Sequence, residues 1–251
     1  MNDAPRPTLV PGSPDWSKRR LSFGAQAPAY DRYRPGYPPQ ALAWMTGGRQ
    51  AADVVDLATG TGRLGAVAVA AGHRVVGVEP DPGMRAVAEQ VLPVVLDGSA
   101  EQIPLPDASA DVVTVAQAWH WVDRERALPE LARVLRPGGT LAVVWNIRDD
   151  REPWVAALGQ LIGGEDGRWR EREHGPELGE AFGPVEEAEF DHVVSLDRPT
   201  LVGLVDTFSY VALNPDRERV LEAVAALPDS FGLAEVFDLP YRLRCYRAAR
   251  L

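Results

Sequence analysis

The residues best placed to do chemistry stand at the ends of two short apolar runs. Val54-Val55-Asp56-Leu57 passes directly into Ala58-Thr59-Gly60-Thr61-Gly62, and His73 to Val78 ends in an acid, Glu79. Small residues in the first turn let bare backbone approach a ligand, and the helix-compatible sequence behind it offers unpaired N–H groups to an anion. A carboxylate closing the second run can accept both hydroxyls of a ribose. Turn and acid in this order describe a pocket for an adenosine-containing cofactor. Taken singly, an ordinary strand–helix turn and a solvated loop acid would read the same way, so the pairing carries the inference.

A second group, Trp119-His120-Trp121, follows another apolar run. His120 suits proton abstraction from a hydroxyl or amine, because an unperturbed imidazole titrates near neutrality. A hydrogen-bonded histidine that only holds its loop is the alternative. Trp119, Trp121, Trp145 and Trp154 either wall an apolar acceptor pocket or pack the core. Arg148, just past Trp145-Asn146, reads as recognition of an acidic acceptor or as a surface arginine.

These groups need an alternating framework. Strands are expected over Asp53–Leu57, Arg74–Val78, Val94–Leu96, Asp111–Ala116 and Thr140–Trp145, from β-branched runs bounded by turn residues. Helices intervene. One runs from Leu64 to Ala71 and stops at Gly72. Another is capped by Asp81 with Pro82 at its first position and buries Met84, Val87, Ala88 and Val91. A third carries Leu128, Leu131, Ala132 and Leu135, with a kink or late start at Pro129, and breaks at Pro137-Gly138-Gly139. Strands alternating with helices imply a parallel sheet covered on both faces. Beyond Trp145 the expected elements are helices over Pro153–Ile162, Thr200–Leu213 and Arg217–Leu227, and strands over Val185–Leu196 and Asp238–Arg247. The charged run Arg168–Glu173 reads as a solvated face or loop.

A chain of 251 residues, 45% of them hydrophobic, can bury one large α/β core. The net charge of −10 disfavours nucleic acid as a partner, and the short basic cluster Lys18-Arg19-Arg20 does not change that. No apolar run approaches the roughly 18–20 residues that cross a bilayer. One cysteine, Cys245, excludes an intramolecular disulfide and a cysteine-built metal site, and no metal is expected. The proline-rich opening has no apolar signal core, so the expected location is cytoplasmic.

Four blocks in order sharpen the reading: Asp56-Leu57-Ala58-Thr59-Gly60-Thr61-Gly62, Val78-Glu79-Pro80-Asp81, Gly98-Ser99-Ala100-Glu101-Gln102-Ile103-Pro104-Leu105-Pro106, and Arg133-Val134-Leu135-Arg136-Pro137-Gly138-Gly139. Together they resemble class I S-adenosylmethionine-dependent methyltransferases. The similarity is to the type 11 branch, near ubiquinone/menaquinone-biosynthesis-like and trans-aconitate methyltransferase-like enzymes. Phe23, Ala27, Tyr30-Asp31, Tyr33-Arg34-Pro35 and Tyr37-Pro38 resemble that branch's N-terminal signature, and Gln117 to Trp121 and Trp145-Asn146 resemble later blocks.

The resemblance implies a Rossmann-like, seven-stranded, mostly parallel sheet with its last strand antiparallel and helices on both faces. An N-terminal helical lid and a C-terminal helical insertion are expected beside it. The expected division is a disordered leader (1–15) and one domain (16–251), the latter comprising a lid (16–50), a cofactor-binding core (51–150), a substrate region (151–235) and the final strand (236–251). It implies S-adenosylmethionine as cofactor and S-adenosylhomocysteine as product. Asp56, Ala58, Gly60 and Gly62 would lie by the methionine part, Glu79 by the ribose, and Pro80, Met84, Ser99 and Ala100 by the adenine. Tyr30 and Arg34 would close over the cofactor, with Arg34 facing its carboxylate, and Gln117 is expected among the cofactor-binding residues. Ala58 stands where the family's first glycine is commonest, and Ser99 where an acid is frequent. The acceptor would be a small molecule, oxygen favoured over nitrogen or carbon, met by Trp119, His120, Trp121, Trp145 and Arg148. Three other readings remain at this level. One is a methyltransferase-fold enzyme that uses the cofactor structurally in a cyclisation or rearrangement. Another is a noncatalytic partner subunit. The third is a nicotinamide dehydrogenase, since Gly60-Thr61-Gly62-Arg63-Leu64-Gly65 also spells G-x-G-x-x-G.

Overall fold

Alternation of apolar residues along five branched runs builds the parallel half of a seven-stranded sheet. The computed structural model describes residues 24–163 and 175–251. The leader, the Lys18–Arg20 cluster, Phe23 and the Arg168–Glu173 run lie outside the described residues. The parallel strands are β1 (Asp53–Leu57), β2 (Arg74–Val78), β3 (Val95–Leu96), β4 (Ala110–Ala116) and β5 (Leu135–Arg148). With β6 (Glu186–Asp197) and β7 (Val236–Ala249) the order is β3-β2-β1-β4-β5-β7-β6. Strand β7 runs antiparallel to both neighbours, as the family resemblance implies.

Successive residues of each inner strand feed opposite faces. On one face Val55, Leu57, Val113, Val115, Leu141, Val143 and Trp145 pack with Ala127, Leu131 and Val134 of α5 (Arg124–Val134). On the other, Val54, Val75, Val112, Ala142 and Val144 meet α2 (Pro39–Met45) and α3 (Arg63–Ala70) through Ala41, Leu42, Met45, Leu64 and Ala68. Between β2 and β3 lies α4 (Pro82–Ala88). Its cap forms as expected: Asp81 Oδ1 accepts from the backbone N–H groups of Gly83 and Met84 at 2.8 and 3.0 Å.

A third cluster stands over the carboxyl ends of the strands. It joins α6 (Pro153–Ile162), α7 (Arg198–Asp206), α8 (Ser209–Ala212) and α9 (Arg217–Ser230) through Trp154, Leu158, Leu201, Leu204, Val205, Val211 and Val224. The N-terminal helix α1 (Ala27–Tyr33) leans on it, with Tyr33 packed against the cluster. A methyl group built on Gly203 of α7 would fall 2.5–2.8 Å from ring atoms of Tyr33, so the absence of a side chain there seats that ring.

Three elements differ from expectation. Pro129 is accommodated inside α5, which begins at Arg124. Strand β5 starts at Leu135 and carries Pro137-Gly138-Gly139 within it, where the register against β4 shifts between Ala110 and Val112. The single helix expected over Thr200–Leu213 is two. Thr207 Oγ1 donates back to the Leu204 carbonyl at 2.6 Å, and Phe208 swings to extended backbone, φ −77° and ψ 123°. Local side-chain bonding of this kind competes with the helical ladder. The break turns Phe208, Ser209 and Tyr210 toward the sheet's carboxyl edge. Among the described residues no helix is long and apolar enough to cross a membrane.

Candidate active site

A cavity opens where open α/β sheets bind ligands, at the carboxyl ends of the strands. Its floor comes from β1, β2, β4 and β5 and the turns after them, and its roof from α1, the segment 34–37 and Phe208–Tyr210.

The glycine turn is held from below by Asp56. This carboxylate, 1% exposed, accepts from Thr59 Oγ1 (2.5 Å), the Gly65 N–H (2.9 Å) and Thr114 Oγ1 (2.9 Å). Burial raises its pKa, and those hydrogen bonds oppose the rise. Three donors converging on one acid fix the exit of β1 to the start of α3 and to β4. Two non-glycine residues in the cavity wall adopt left-handed backbone, Ala58 (φ 51°) after β1 and Gln117 (φ 59°) after β4. Such conformations in non-glycine residues concentrate at functional sites. Ala58 thus keeps the backbone shape that a glycine would adopt more easily.

Gly60 (φ 59°) faces open space, since nothing lies within 4 Å of a Cβ placed there. Gly62 (φ 85°) does not: a Cβ would meet Val91 Cγ2 at 2.9 Å and Leu92 Cγ at 3.2 Å. Its role in the structure is close packing behind α4, and it is absent from the cavity lining. Thr61 Oγ1 is buried with no hydrogen-bond partner among the described residues, and Thr61 lines the cavity. Glu79 is 7% exposed; its Oε2 accepts the Gly60 N–H and its Oε1 the Asp81 N–H, both at 2.9 Å. A bare glycine, a buried hydroxyl with unused capacity and an acid at the end of β2 fit a polar nucleoside ligand.

The other end is aromatic and cationic. The 3₁₀ turn Trp119–Trp121 follows Gln117, and His120 and Trp121 line the cavity with ring centroids 5.0 Å apart. Arg148 ends β5 beneath the Phe208 ring, 5.1 Å from its centroid. Arg34 lies 4.4 Å from the same ring and 4.7 Å from that of Tyr30. The Arg34 Nε and Nη2 donate to the hydroxyl and carbonyl of Thr207, both at 2.9 Å, tying α1 to the α7–α8 break. Segment 34–37 is clamped further. Arg63 Nε donates to the Pro35 carbonyl at 3.2 Å, and Asn146 Nδ2 to the Gly36 carbonyl at 3.2 Å. Because a carbonyl fixes that amide's orientation, Asn146 Oδ1 faces His192 Nε2 at 2.6 Å as an acceptor.

Of the residues singled out in the sequence, the structure brings Tyr30, Arg34, Asp56, Ala58, Gly60, Glu79, Pro80, Met84, Gln117, His120, Trp121 and Arg148 to this one cavity. It leaves Gly62, Ser99, Ala100, Trp119 and Trp145 outside the lining. Ser99 is drawn into a tight turn by reciprocal backbone bonds with Gln102, both at 3.1 Å, and Ala100 packs into the core. Trp119 and Trp145 are each 1% exposed and belong to the core on the α5 face, with Trp145 edge-on to Tyr246. Alternation along β5 explains it: Trp145 follows Leu141 and Val143 inward, and Asn146 takes the cavity side. Trp154 packs edge-on to Phe237 in the roof cluster. Sequence reading did not find Phe208, Ser209, Tyr210 and Tyr241 as lining residues. Tyr241 reaches the site because β7 pairs with β5 in a register that sets it beside Arg148.

Comparison with known proteins agrees with this geometry. The methyltransferase domain model Methyltransf_11 matches residues 55–143. An uncharacterized methyltransferase of Mycobacterium tuberculosis is 46% identical over 239 residues, 91% of this chain and 95% of its own. The chain belongs to the type 11 family of class I methyltransferases. A second relative of this methyltransferase, a demethylmenaquinone methyltransferase of Thermus thermophilus, is 35% identical over 69% of this chain and 82% of its own. Among solved structures, one provisionally designated a type II methyltransferase from Anaeromyxobacter dehalogenans superposes with a TM-score of 0.60 at 27% identity, covering 87% and 97% of the two chains.

Proposed function

We propose that this methyltransferase takes a methyl group from S-adenosylmethionine and places it on a small-molecule acceptor, with oxygen favoured over nitrogen or carbon. The observation that carries the reading is one cavity with two chemically distinct ends. The turn 58–61 with Glu79 suits a nucleoside and its amino-acid tail. His120, Trp121, Arg148 and the Phe208–Tyr210 roof suit an organic acceptor.

In this reading Glu79 holds the ribose hydroxyls, Pro80 and Met84 flank the base, and Gly60 with Thr61 meets the methionine portion. When bound, the cofactor supplies a methyl carbon activated by its sulfonium. The protein's share is placement and dryness. Glu79 and the turn fix one reactant, the aromatic roof aligns the other, and both act as an entropy trap for an in-line displacement. Roof and floor exclude water, which strengthens the electrostatics inside. His120 receives the acceptor hydroxyl's proton as that oxygen attacks. In the same reading residues 16–50 serve as a lid over the cofactor-binding core (51–150), and residues 151–235 supply acceptor specificity.

Calorimetric titration with S-adenosylmethionine, S-adenosylhomocysteine and NAD tests the reading. Micromolar binding of the first two, lost in Glu79→Ala, supports it and licenses an acceptor screen read by S-adenosylhomocysteine release. Binding of NAD alone overturns it. Tight cofactor binding with no S-adenosylhomocysteine from any acceptor favours a structural use of the cofactor.

A further inference from the structure

His192 stands outside the cavity lining, half-buried on the edge strand β6, yet it touches two residues that do line the cavity. Its ring reaches over β7 from the margin of the sheet. The Nε2 atom lies 2.6 Å from Asn146 Oδ1 on β5, and the ring stacks on Tyr241 of β7 with centroids 5.4 Å apart and planes 16° apart. Asn146 is a junction. Its Nδ2 donates to the Gly36 carbonyl at 3.2 Å, and its backbone carbonyl accepts from Gln117 Nε2 at 3.4 Å. Gly36 sits between Pro35 and Tyr37, which line the roof together with Arg34. That short segment is therefore tied to β5 by one amide and to α3 by Arg63, whose Nε donates to the Pro35 carbonyl at 3.2 Å.

The terminal torsion of an asparagine is broad and two-fold, so the oxygen and nitrogen of its amide exchange places by a half-turn. Here the exchange would set an oxygen against the Gly36 carbonyl. A carbonyl only accepts, so the amide nitrogen faces Gly36 and the amide oxygen requires a donor on its other side. In a neutral imidazole one nitrogen donates and the other accepts, and this geometry assigns the proton to His192 Nε2 and leaves Nδ1 bare. Burial lowers the pKa of the ring, which favours that neutral form.

Resting on the methyltransferase reading, we propose that His192 is a positioning residue of the cofactor site: its Nε2–H fixes the Asn146 amide, and that amide holds segment 34–37 in place over the bound cofactor. His192 meets neither cofactor nor acceptor and acts through Asn146. The stack on Tyr241 keeps the ring in the plane that aims Nε2 at the amide oxygen. The roof over the cofactor is thus set in part from the far margin of the sheet, two strands beyond β4.

Two measurements on the full chain test the proposal. Imidazole nitrogen NMR of histidine-labelled protein at pH 8, without ligand, reads the tautomer, with the His192 signals identified by their loss in His192→Gln. The expected state has the proton on Nε2 and a bare Nδ1. A proton on Nδ1 with a bare Nε2 overturns the inference, because the ring would then accept and the amide would be reversed. Titration with S-adenosylhomocysteine reads the consequence. His192→Leu should raise the Kd by about 3–10-fold, the worth of one neutral hydrogen bond. His192→Gln, which can offer an amide N–H near the place of Nε2, should restore affinity to within about twofold of wild type. In an Asn146→Ala background His192→Leu should add no further loss, because the two residues act as one unit. Melting temperatures report folding of each variant. An unchanged Kd in folded His192→Leu, a His192→Gln as weak as His192→Leu, or additive losses in the double variant overturns the inference. If His192→Leu does not fold, the tautomer decides. Wild-type protein that binds no S-adenosylhomocysteine overturns the cofactor reading and the binding consequence with it, while the tautomer, read without ligand, judges the contact by itself.

Discussion

The backbone N–H of Gly60 donates to Glu79 Oε2 across 2.9 Å, so the glycine turn after β1 and the acid after β2 form one hydrogen-bonded unit. With Oε1 accepting from Asp81, the same carboxylate also positions the start of α4.

Glu79→Gln therefore acts in two ways. An amide offers one acceptor oxygen where the carboxylate offers two, so one of the two N–H groups faces a donor. Losing a hydrogen bond to a charged group is worth about 1.5–3 kcal/mol, which is roughly 10–100-fold in affinity. We expect the dissociation constant for S-adenosylhomocysteine to rise by that factor and the melting temperature to drop by a few degrees (about 1–3 kcal/mol for the unsatisfied donor). Unchanged affinity in a folded variant would remove Glu79 from the proposed site.

Ala58 holds φ at 51° where glycine is at ease. Left-handed backbone costs an L-residue about 1–2 kcal/mol, and a glycine's extra freedom in the unfolded chain gives back roughly 0.5–1 kcal/mol. Ala58→Gly should be between neutral and about 1.5 kcal/mol more stable in urea unfolding, and Ala58→Val less stable than wild type by more than about 1 kcal/mol. A destabilised glycine variant would contradict the strain assigned to this position.

The tryptophans divide by depth. Trp145→Ala, which opens the α5-face core, should cost about 3–5 kcal/mol of stability. Trp121→Ala, at a half-buried cavity wall, should stay within about 1 kcal/mol of wild type while changing acceptor affinity. Chemical denaturation of the two variants side by side checks the contrast.

Acid should weaken the fold through His73. Its Nδ1 accepts the Ala52 N–H at 3.2 Å, so the ring is neutral in the native state, and burial lowers its pKa. A base with a depressed native pKa is protonated first in the unfolded chain. Stability is thus complete above the unfolded pKa, near 6.5, and declines as pH falls through and below it. Melting temperatures at pH 8 and pH 5.5 should show the decline, and His73→Leu should reduce it. His192, lowered mainly by burial, contributes with the same sign, so the single variant shrinks the effect without abolishing it.

The parallel strands, the cap at Asp81 and the cavity lining from Asp56, Ala58, Gly60, Glu79, Pro80 and Met84 were legible in the sequence because each rests on neighbours a few positions apart, whereas Gly62, Ser99 and Ala100 fall outside that lining. A strand, its turn and the helix behind it are written consecutively. The aromatic end was legible only in part: His120, Trp121 and Arg148 line the cavity, whereas Trp119 and Trp145 do not. Trp119 and Trp145 differ from Trp121 by which way the strand or turn points them, and a one-residue change of register reverses that. Phe208 and Tyr210 depend on a helix broken by Thr207, and Tyr241 on pairing between β5 and β7. One local signal existed: the compact aromatic group Phe208-Ser209-Tyr210 interrupts an otherwise helical pattern.

The bond between Arg34 and Thr207 spans 173 positions of sequence. Every strand that shapes the cavity floor lies between them. During synthesis the parallel strands can pair long before Thr207 exists, so the floor precedes the Phe208–Tyr210 part of its roof. Closing so distant a contact gains nothing until most of the chain is ordered. A shortened chain that keeps β1 to β5 would then hold the turn and Glu79 yet present them to open water. Under the proposed reading, cofactor affinity would then report whether Phe208–Tyr210 has closed over a turn that lies about 150 positions earlier in the chain.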